Sequence, residues 1–297
     1  MNTQRNTQPN NHPEVLSFYD KATNTISYIV IDPATKHAAI VDSVLDYDPK
    51  AGRVSTTSAD EMIAAVKAHD LTIDWIVETH VHADHFSAAQ YLQQHIGSGI
   101  IGIGGQIAPV QSNFADMFDM GIDFKTDGSQ FDHLFQDGES FKVGTIEAKA
   151  IYTPGHTPAC MSYLIGDAVF VGDTLFMPDY GTARCDFPGG DAHALYASVQ
   201  RLFTLPPETR MFTAHDYQPG GREPAWETTV GEQKAKNVQI REGISEDEFV
   251  AMRQKRDATL AAPVLILPSL QVNIRGGDLP DPSGNGRRYL KIPLNAM

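Results

Sequence analysis

The sequence predicts an α/β fold in which two sheets pack face to face with helices outside. Short apolar strands come first, helices are interleaved with further strands, and the same order then repeats along the chain. Seven histidine and aspartate residues also stand at or just past the ends of predicted strands. Side chains in such positions gather at one rim of a sheet scaffold, so a functional site is expected there.

The first half of the chain supplies strands followed by helices. Segments that are short, apolar and rich in β-branched residues predict strands. The helical spacing of Met62, Ile63 and Val66 predicts a helix that Ser58 caps. In chain order, this half is predicted to contain strands 26–31 and 38–42, helix 58–69, strand 75–79 and helix 84–95.

The second half repeats this order and then changes in composition. It is predicted to contain strands 146–151, 161–165 and 168–171, helix 193–203 and strand 210–213. Beyond a loop rich in proline and glycine, helices are predicted over 228–238 and 245–260, and an extended, wrapped tail over 261–297. We therefore expect a loose polar tail at 1–13 and one domain over 14–297 that includes the C-terminal helices and tail.

Composition and charge argue against several classes of function. The 297 residues carry a formal net charge of −14, which disfavours unaided binding to nucleic acid or to anionic lipid. No apolar run reaches the ~18 residues that a membrane span needs. The two cysteines, Cys160 and Cys185, make no disulfide framework, so a reducing compartment such as the cytoplasm is expected.

A metal site is predicted from residues with imidazole and carboxylate side chains. Four candidate ligands occur in the motif His-Val-His-Ala-Asp-His at 80–85, and three more follow singly as His156, Asp173 and His215. His80 and His82 are two apart at a strand end, where alternate residues point to one face and can reach one ion. These donors suit zinc, iron or manganese, so the chain is predicted to be a metalloenzyme.

The motif at 80–85, with His156, Asp173 and His215, resembles the metallo-β-lactamase superfamily over about residues 20 to 220. The resemblance implies an αββα sandwich with the metal at one edge of the two packed sheets. The superfamily includes thioester hydrolases, lactamases, nucleases and dioxygenases. The ligand motif alone therefore leaves the reaction open.

Further segments resemble the persulfide dioxygenases within this superfamily. They are 179–190, with Gly, Arg, Asp and Phe in the family's order, 215–217 (His-Asp-Tyr), 231–234, 256–263 and 270–275. The resemblance implies oxidation of glutathione persulfide by dioxygen and water to glutathione and sulfite, in a homodimer. It implies one Fe(II) per chain, held by His80, His156 and Asp173. The other four candidates are then expected behind these ligands, where they hold water or orient the imidazoles: His82, Asp84, His85 and His215.

Glutathione carries two carboxylates, which favour cationic partners. Arg184 is the leading candidate for a catalytic and substrate-binding role, because it matches a family motif position and lies 11 residues after Asp173. The alternative is that Arg184 pairs with Asp186 or Asp179 and holds the loop. Tyr217 is a further catalytic candidate, and the remaining candidates for substrate binding are Tyr180, Tyr217, Lys234, Arg253 and Arg275. Cys160 and Cys185 are expected to be packed residues.

Two other functions remain open on the sequence. The first is a glyoxalase II-type hydrolase of hydroxyacylglutathione thioesters with a dinuclear metal site, which the segments 152–157 and 171–176 resemble and which needs the same ligands. The second is a non-catalytic sensor of metal or persulfide, although the sequence contains no recognisable DNA-binding or partner module. Metal stoichiometry and oxygen consumption distinguish the two enzymes.

Overall fold

A computed structural model describes residues 12–295 of the chain. Two six-stranded sheets form the centre of this part of the protein. In sheet order, the first contains β1 (Glu14–Asp20), β2 (Thr25–Ile31), β3 (His37–Val41), β6 (Thr72–Val77), β8 (Ile100–Gly104) and β9 (His133–Phe135). The strands β1, β2 and β3 are antiparallel, whereas β3, β6, β8 and β9 run parallel.

The second sheet begins as an antiparallel meander. In sheet order it contains β10 (Ser140–Val143), β11 (Ile146–Tyr152), β12 (Met161–Ile165), β13 (Ala168–Phe170), β14 (Arg210–Phe212) and β15 (Glu227–Thr229). Only β13 and β14 are parallel neighbours in this sheet. A small additional sheet contains β5 (Arg53–Ser55), β4 (Val44–Asp48) and β7 (Phe86–Ser87).

Helices cover the outer faces of both sheets. They are α1 (Thr57–Ala68), α2 (Ala89–Ile96), α3 (Ile107–Met117), α4 (Ala192–Leu202), α5 (Val230–Lys236), α6 (Glu246–Asp257) and α7 (Ile266–Asn273). Apolar residues of α1, α2, α3 and α7 pack on the first sheet. Those of α4, α5 and α6 pack on the second. The predicted αββα sandwich is therefore confirmed.

The alternation of side chains in β2 shows how one strand supplies two cores. Ile26, Tyr28 and Val30 enter the core between the two sheets, where the ring of Tyr28 contacts Phe170 at 5.2 Å between centroids. Ile29 and Ile31 point the other way, into the core beneath the helices. A strand buried on both faces is apolar throughout, and each such side chain stabilises the fold by about 1.5–3 kcal/mol.

The helix predicted over 228–238 begins only at Val230, because Thr228 and Thr229 belong to β15. Two other predicted elements differ more from the structure. The helix predicted over 84–95 begins only at Ala89, because Phe86 and Ser87 form β7 and pair with β4. The Ser87 amide also donates a hydrogen bond to the side-chain oxygen of Asn273 at 2.8 Å. The tail predicted to be extended over 261–297 contains α7, whose residues Leu270 and Val272 are buried against the first sheet. In both places tertiary contacts decide a conformation that local pattern leaves open.

The predicted loose tail lies mostly outside the described residues. Its last two residues contact the protein body: His12 Nδ1 lies 2.6 Å from Asp167, and Arg210 donates a hydrogen bond to the Pro13 carbonyl. No helix within residues 12–295 is both long and apolar enough to cross a membrane.

Candidate metal centre and adjoining pocket

The candidate ligands converge because several strands end at the same rim. Parallel β3 and β6 end side by side, and His80 follows β6. In the second sheet β11, β13 and β14 share one direction, since β12 is antiparallel to both of its neighbours. His156, Asp173 and His215 follow these three strands in turn. The packing of the two sheets then brings all seven predicted ligands to one edge.

The seven residues divide into two groups whose ligand atoms lie within 4.8 Å of one another. One contains His80, His156 and Asp173, and the other contains His82, Asp84, His85 and His215. Asp173 connects them, because its two oxygens lie 3.7 Å from His156 Nε2 and 3.4 Å from His215 Nε2. We call the first group the open triad and the second the tied group.

The open triad presents free ring nitrogens. His156 Nδ1 donates to the Arg184 carbonyl at 2.8 Å, which leaves Nε2 toward Asp173. His80 Nδ1 contacts the Thr79 hydroxyl at 3.0 Å, and that hydroxyl donates to Asp42 at 2.8 Å, so the His80 ring donates from Nδ1 and keeps Nε2 as an acceptor. Outer partners of this kind fix the tautomer of a metal ligand.

Burial lowers the pKa of His80 well below its ordinary value, and the neighbouring His82 and His156 lower it further. The ring is therefore neutral at pH 7, as a metal ligand must be. Gly172, which precedes Asp173, has φ +51°, and a side chain there would collide with the Thr79 hydroxyl group. Glycine at this position lets the loop that carries Asp173 pass directly against the loop that carries His80.

The tied group is held by carboxylates. His82 Nε2 lies 3.0 Å from Asp42 and 3.1 Å from Glu78. His215 Nε2 lies 3.1 Å from Asp84, and His85 Nδ1 lies 3.4 Å from the same side chain. Each of the three histidines in this group therefore contacts a carboxylate of the protein.

Those carboxylates change the protonation of the tied histidines. Burial opposes the charged form of His82, but Asp42 and Glu78 outweigh it and raise the pKa of His82 well above its ordinary value. Burial likewise opposes the charged form of His215, and Asp84 with Asp173 raises its pKa. Burial, and then His82, lower the pKa of His85 instead. Protons thus compete with a metal ion for His82 and His215 more strongly than for His80 or His85.

Buried polar atoms without partners test whether the site fits a metal ion. Within residues 12–295, His82 Nδ1 and His85 Nε2 are buried and make neither a hydrogen bond nor an ion pair. Buried polar groups nearly always have a partner, so two unpartnered ring nitrogens at one rim indicate that a ligand binds there. Imidazole and carboxylate donors fit zinc, iron or manganese. The open triad offers two imidazoles and one carboxylate, and the tied group could hold a second ion.

A cavity of about 510 Å³ adjoins the metal centre, and we call it the main pocket. Its inner end reaches His156, Asp173 and Asp84. Aromatic rings and arginines form much of the wall, namely Tyr47, Phe176, Tyr180, Phe187, Tyr217, Arg184, Arg253 and Arg256. The volume suits a small-molecule substrate of peptide size rather than a macromolecule.

Arg184 lies in the pocket wall, but its guanidinium is engaged. It pairs with both oxygens of Asp186 at 2.5 and 2.6 Å and donates to the Ala261 carbonyl at 2.7 Å. A substrate carboxylate at Arg184 would compete with Asp186. The contacts therefore favour the alternative role, in which Arg184 holds its loop, here against the segment that follows α6.

Arg253 is fully buried at 1% exposure and serves the same loop. It pairs with Asp257 at 2.6 Å and donates to the Thr182 carbonyl at 3.2 Å. Asp257 in turn accepts from the Cys185 amide at 2.9 Å. This buried pair fixes the 182–185 segment on α6 and leaves little of the guanidinium for a substrate.

The structure does not bring Lys234 or Arg275 into the main pocket. Lys234 lies on α5, and Arg275 stacks on the Phe124 ring at 4.9 Å. Tyr180 and Tyr217 do meet in the wall, with ring centroids 4.9 Å apart, and the Tyr217 ring is nearly parallel to His215. The two predicted tyrosines are thus placed beside the metal centre.

Both cysteines are buried and free. Burial raises the pKa of Cys160 to about 12, and burial also raises that of Cys185, which Asp257 raises further. A thiol that stays protonated is a poor nucleophile, so both behave as packed residues.

Sequence reasoning missed four residues that shape the site. Asp42 contacts His82 directly and reaches His80 through the Thr79 hydroxyl. It follows an apolar strand, as Asp173 does, so the same sequence signal could have identified it. Glu78 had no such signal. Asn273 donates from α7 to the His82 and His85 carbonyls at 2.8 Å. Arg256 stacks on the Tyr180 ring at 5.5 Å and lines the main pocket.

Arg256 differs from the other arginines of the pocket in its charge balance. Within the described part of the chain, the ion pairs of arginine are made by residues 184, 201, 210, 222 and 253. Arg256 is exposed at the pocket mouth and carries an uncompensated charge. It is therefore the arginine best able to receive an anionic group.

The model of the metallo-beta-lactamase superfamily matches residues 23–215. The chain is 54% identical over 293 residues to a "Probable metallo-hydrolase" of Burkholderia pseudomallei, covering 95% of this chain and 99% of that protein. It is 53% identical to a "Beta-lactamase hydrolase-like protein" of Xylella fastidiosa, where the match covers 96% of this chain and only 65% of the longer relative.

Two further relatives bear on the reaction. A protein named "Glyoxylase B2" from Dictyostelium discoideum is 48% identical over 97% of this chain and 99% of its own length. The bovine "Persulfide dioxygenase ETHE1, mitochondrial" is 29% identical over 89% of each chain. The crystal structure of ETHE1 from Myxococcus xanthus superposes with a TM-score of 0.71 at 29% identity, covering 89% of this chain and 100% of that one.

Proposed function

The chain belongs to the metallo-beta-lactamase superfamily, and we propose that it is a persulfide dioxygenase that oxidises glutathione persulfide with dioxygen and water to glutathione and sulfite. One observation carries the proposal. His80, His156 and Asp173 form a group of their own, with two imidazoles and one carboxylate, at the inner end of a substrate-sized pocket. Such a set leaves adjacent positions of an iron ion open for other ligands. The similarity to ETHE1 proteins supports the same reaction.

The open triad would hold one Fe(II) per chain. When bound, the iron would supply the redox chemistry of dioxygen activation and a site for the persulfide sulfur. The protein's own part is to fix the ligands. The Arg184 carbonyl and the Thr79 hydroxyl hold the rings of His156 and His80, while the tied group behind them stays engaged with Asp42, Glu78 and Asp84.

The main pocket would orient glutathione persulfide with its sulfur toward His156 and Asp173. Arg256 is placed to pair with a glutathione carboxylate at the mouth, 5.5 Å from the Tyr180 ring. Tyr180 and Tyr217 supply flat apolar surface beside the metal centre, and their hydroxyls supply donors. Arg184 keeps the wall in place through Asp186 and the Ala261 carbonyl.

A second candidate is a glyoxalase II-type thioester hydrolase with two metal ions. Two observations favour it: two tied nitrogens, His82 Nδ1 and His85 Nε2, have no partner, and the Dictyostelium relative is named "Glyoxylase B2". Asp173 lies between the groups, where a carboxylate can bridge two ions. This enzyme would use a metal-activated water and would need no dioxygen.

One experiment separates these two enzymes. The protein is purified without oxygen, its metal content is determined, and the same preparation is given glutathione persulfide in an oxygen electrode and a hydroxyacylglutathione thioester in a hydrolysis assay. We expect about one iron per chain, oxygen uptake with sulfite formation, and negligible hydrolysis. Two tightly bound zinc ions with thioester hydrolysis and no oxygen uptake would overturn the proposal and establish the second candidate.

We further propose that the enzyme acts in the cytoplasm as a homodimer. Its two free cysteines are compatible with a reducing compartment. Sedimentation of the purified protein at several concentrations would test the dimer, and a single species with the mass of one chain at all of them would contradict it.

A further inference from the structure

A second, smaller cavity shares part of its lining with the main pocket. It has a volume of about 20 Å³ and is lined mostly by apolar side chains, among them Val81, Ala83, Val110, Phe114 and Leu270. We call it the side cavity. Val81 and Ala83 stand between candidate ligands of the His-Val-His-Ala-Asp-His motif, so the segment that carries those ligands also supplies apolar groups to this cavity.

The side cavity adjoins the metal centre. His156, a member of the open triad, lines both the side cavity and the main pocket, and so do Ala83 and Phe187. A molecule in the side cavity would therefore be separated from the substrate pocket only by these side chains. Ala83 is the smallest of the three and leaves the thinnest barrier.

The walls disfavour water. A cavity needs roughly 10–15 Å³ to hold one water, and that water needs two to four polar partners. The side cavity has the volume, but its polar side chains are already paired: His156 Nδ1 donates to the Arg184 carbonyl and the Thr157 hydroxyl contacts Cys160 Sγ at 3.0 Å. A small, mostly apolar space without free polar side chains disfavours water and accepts small apolar molecules.

We infer that the side cavity binds dioxygen and delivers it to the metal centre past Ala83 and His156, by a way that does not pass through the main pocket. This inference rests on the proposed dioxygenase function. Dioxygen is small and apolar, so it partitions from water into apolar surroundings. Separate approaches also let the persulfide fill the main pocket without closing the way for the second substrate.

Filling the side cavity is the direct test. Val110→Phe places a larger side chain in it from α3, on a residue that does not line the main pocket and is not a proposed ligand. We expect the Michaelis constant for dioxygen to rise several-fold, while iron content and the Michaelis constant for glutathione persulfide stay near those of the unchanged protein. Val54→Phe is the matched control, because it makes the same substitution beside another cavity, near Tyr47 and Leu267.

A second measurement does not depend on activity. Crystals of the iron-loaded protein are pressurised with xenon, which occupies dry apolar cavities. We expect xenon between Val110, Phe114 and Leu270 in the unchanged protein and in Val54→Phe, and none there in Val110→Phe. If Val110→Phe does not fold, Leu270→Phe fills the same space from α7.

The outcomes are distinguishable. No xenon in the side cavity of the unchanged protein, or an unchanged Michaelis constant for dioxygen in a folded filled variant, would overturn the inference and leave the proposed function standing. If the iron-loaded protein takes up no oxygen with glutathione persulfide, the proposed function itself fails, and the dioxygen site fails with it.

Discussion

The open triad and the tied group are built from similar side chains but have different surroundings. Both contain imidazoles and carboxylate at one rim of the same sandwich. The triad's rings rest on a carbonyl and a hydroxyl, and two of its members face the main pocket. The tied histidines rest on carboxylates of the protein, and only Asp84 of that group reaches the pocket.

The difference teaches that ligand identity alone does not define a metal site. A neutral outer partner leaves the imidazole free of a proton on its inner nitrogen, whereas a buried carboxylate stabilises the protonated ring. The same residue types can therefore serve as ligands on one side and as a charged support on the other.

Removing a member of the open triad should abolish function. His80→Ala, His156→Ala and Asp173→Ala each delete one of the three proposed ligands, so iron and oxygen uptake should be lost together. Metal analysis and an oxygen electrode measure both quantities on one sample. His193→Ala is the control, since this exposed histidine pairs with Glu246 far from the rim and should change neither. A triad variant with full iron and activity would remove that residue from the ligand set.

Removing a member of the tied group should cost less. His215→Ala should keep most of its iron and lose activity by roughly 10- to 100-fold, the usual effect of a residue that supports the ligands. Its iron content is measured beside that of the three triad variants. Iron loss equal to theirs would erase the contrast between the two groups and indicate that His215 is itself a ligand.

The unpaired charge at the pocket mouth should act on substrate affinity. Arg256→Gln should raise the Michaelis constant for glutathione persulfide by about threefold to tenfold, because the site is exposed and partly screened. Iron content and turnover should change little. Lys255→Gln removes the same charge one position earlier on α6, away from the pocket wall, and serves as the control.

Arg184→Lys provides the contrasting variant in the same wall. Lysine cannot reproduce the two-pronged contact with Asp186, so the variant should melt at a lower temperature with a nearly unchanged Michaelis constant. Weaker substrate binding by Arg184→Lys without a lower melting temperature would instead support the binding role expected from the sequence. Arg184 would then leave Asp186 and pair with the substrate carboxylate.

The smallest effect concerns a second ion. The carboxylates that raise the pKa values of His82 and His215 favour the protonated forms of these two rings, and the protons leave as pH rises. Uptake of zinc beyond one ion per chain should therefore be slight at about pH 7 and greater at about pH 9. Equilibrium dialysis measures it, and two ions bound equally well at both values would show that the groups do not differ.

The sequence alone predicted two packed sheets with helices outside and the seven candidate ligands. Strand and helix periodicity is a local property, and the ligand motif at 80–85 is contiguous, so both can be recognised without a structure. His156, Asp173 and His215 were found because each follows an apolar strand. The same rule would have found Asp42, which follows β3 in the same way.

Only the tertiary structure decided how these residues are grouped and which of them are free. The pairing of Arg184 with Asp186, the burial of Arg253 against Asp257, and the contact of Asn273 with the His82 and His85 carbonyls depend on packing between distant segments. Hydrogen-bond partners set the charge and availability of a side chain, and those partners are chosen by the fold rather than by neighbours in the chain. The sequence therefore determined which chemistry is available at the rim, and the packing of the two sheets and α7 decided where it can act.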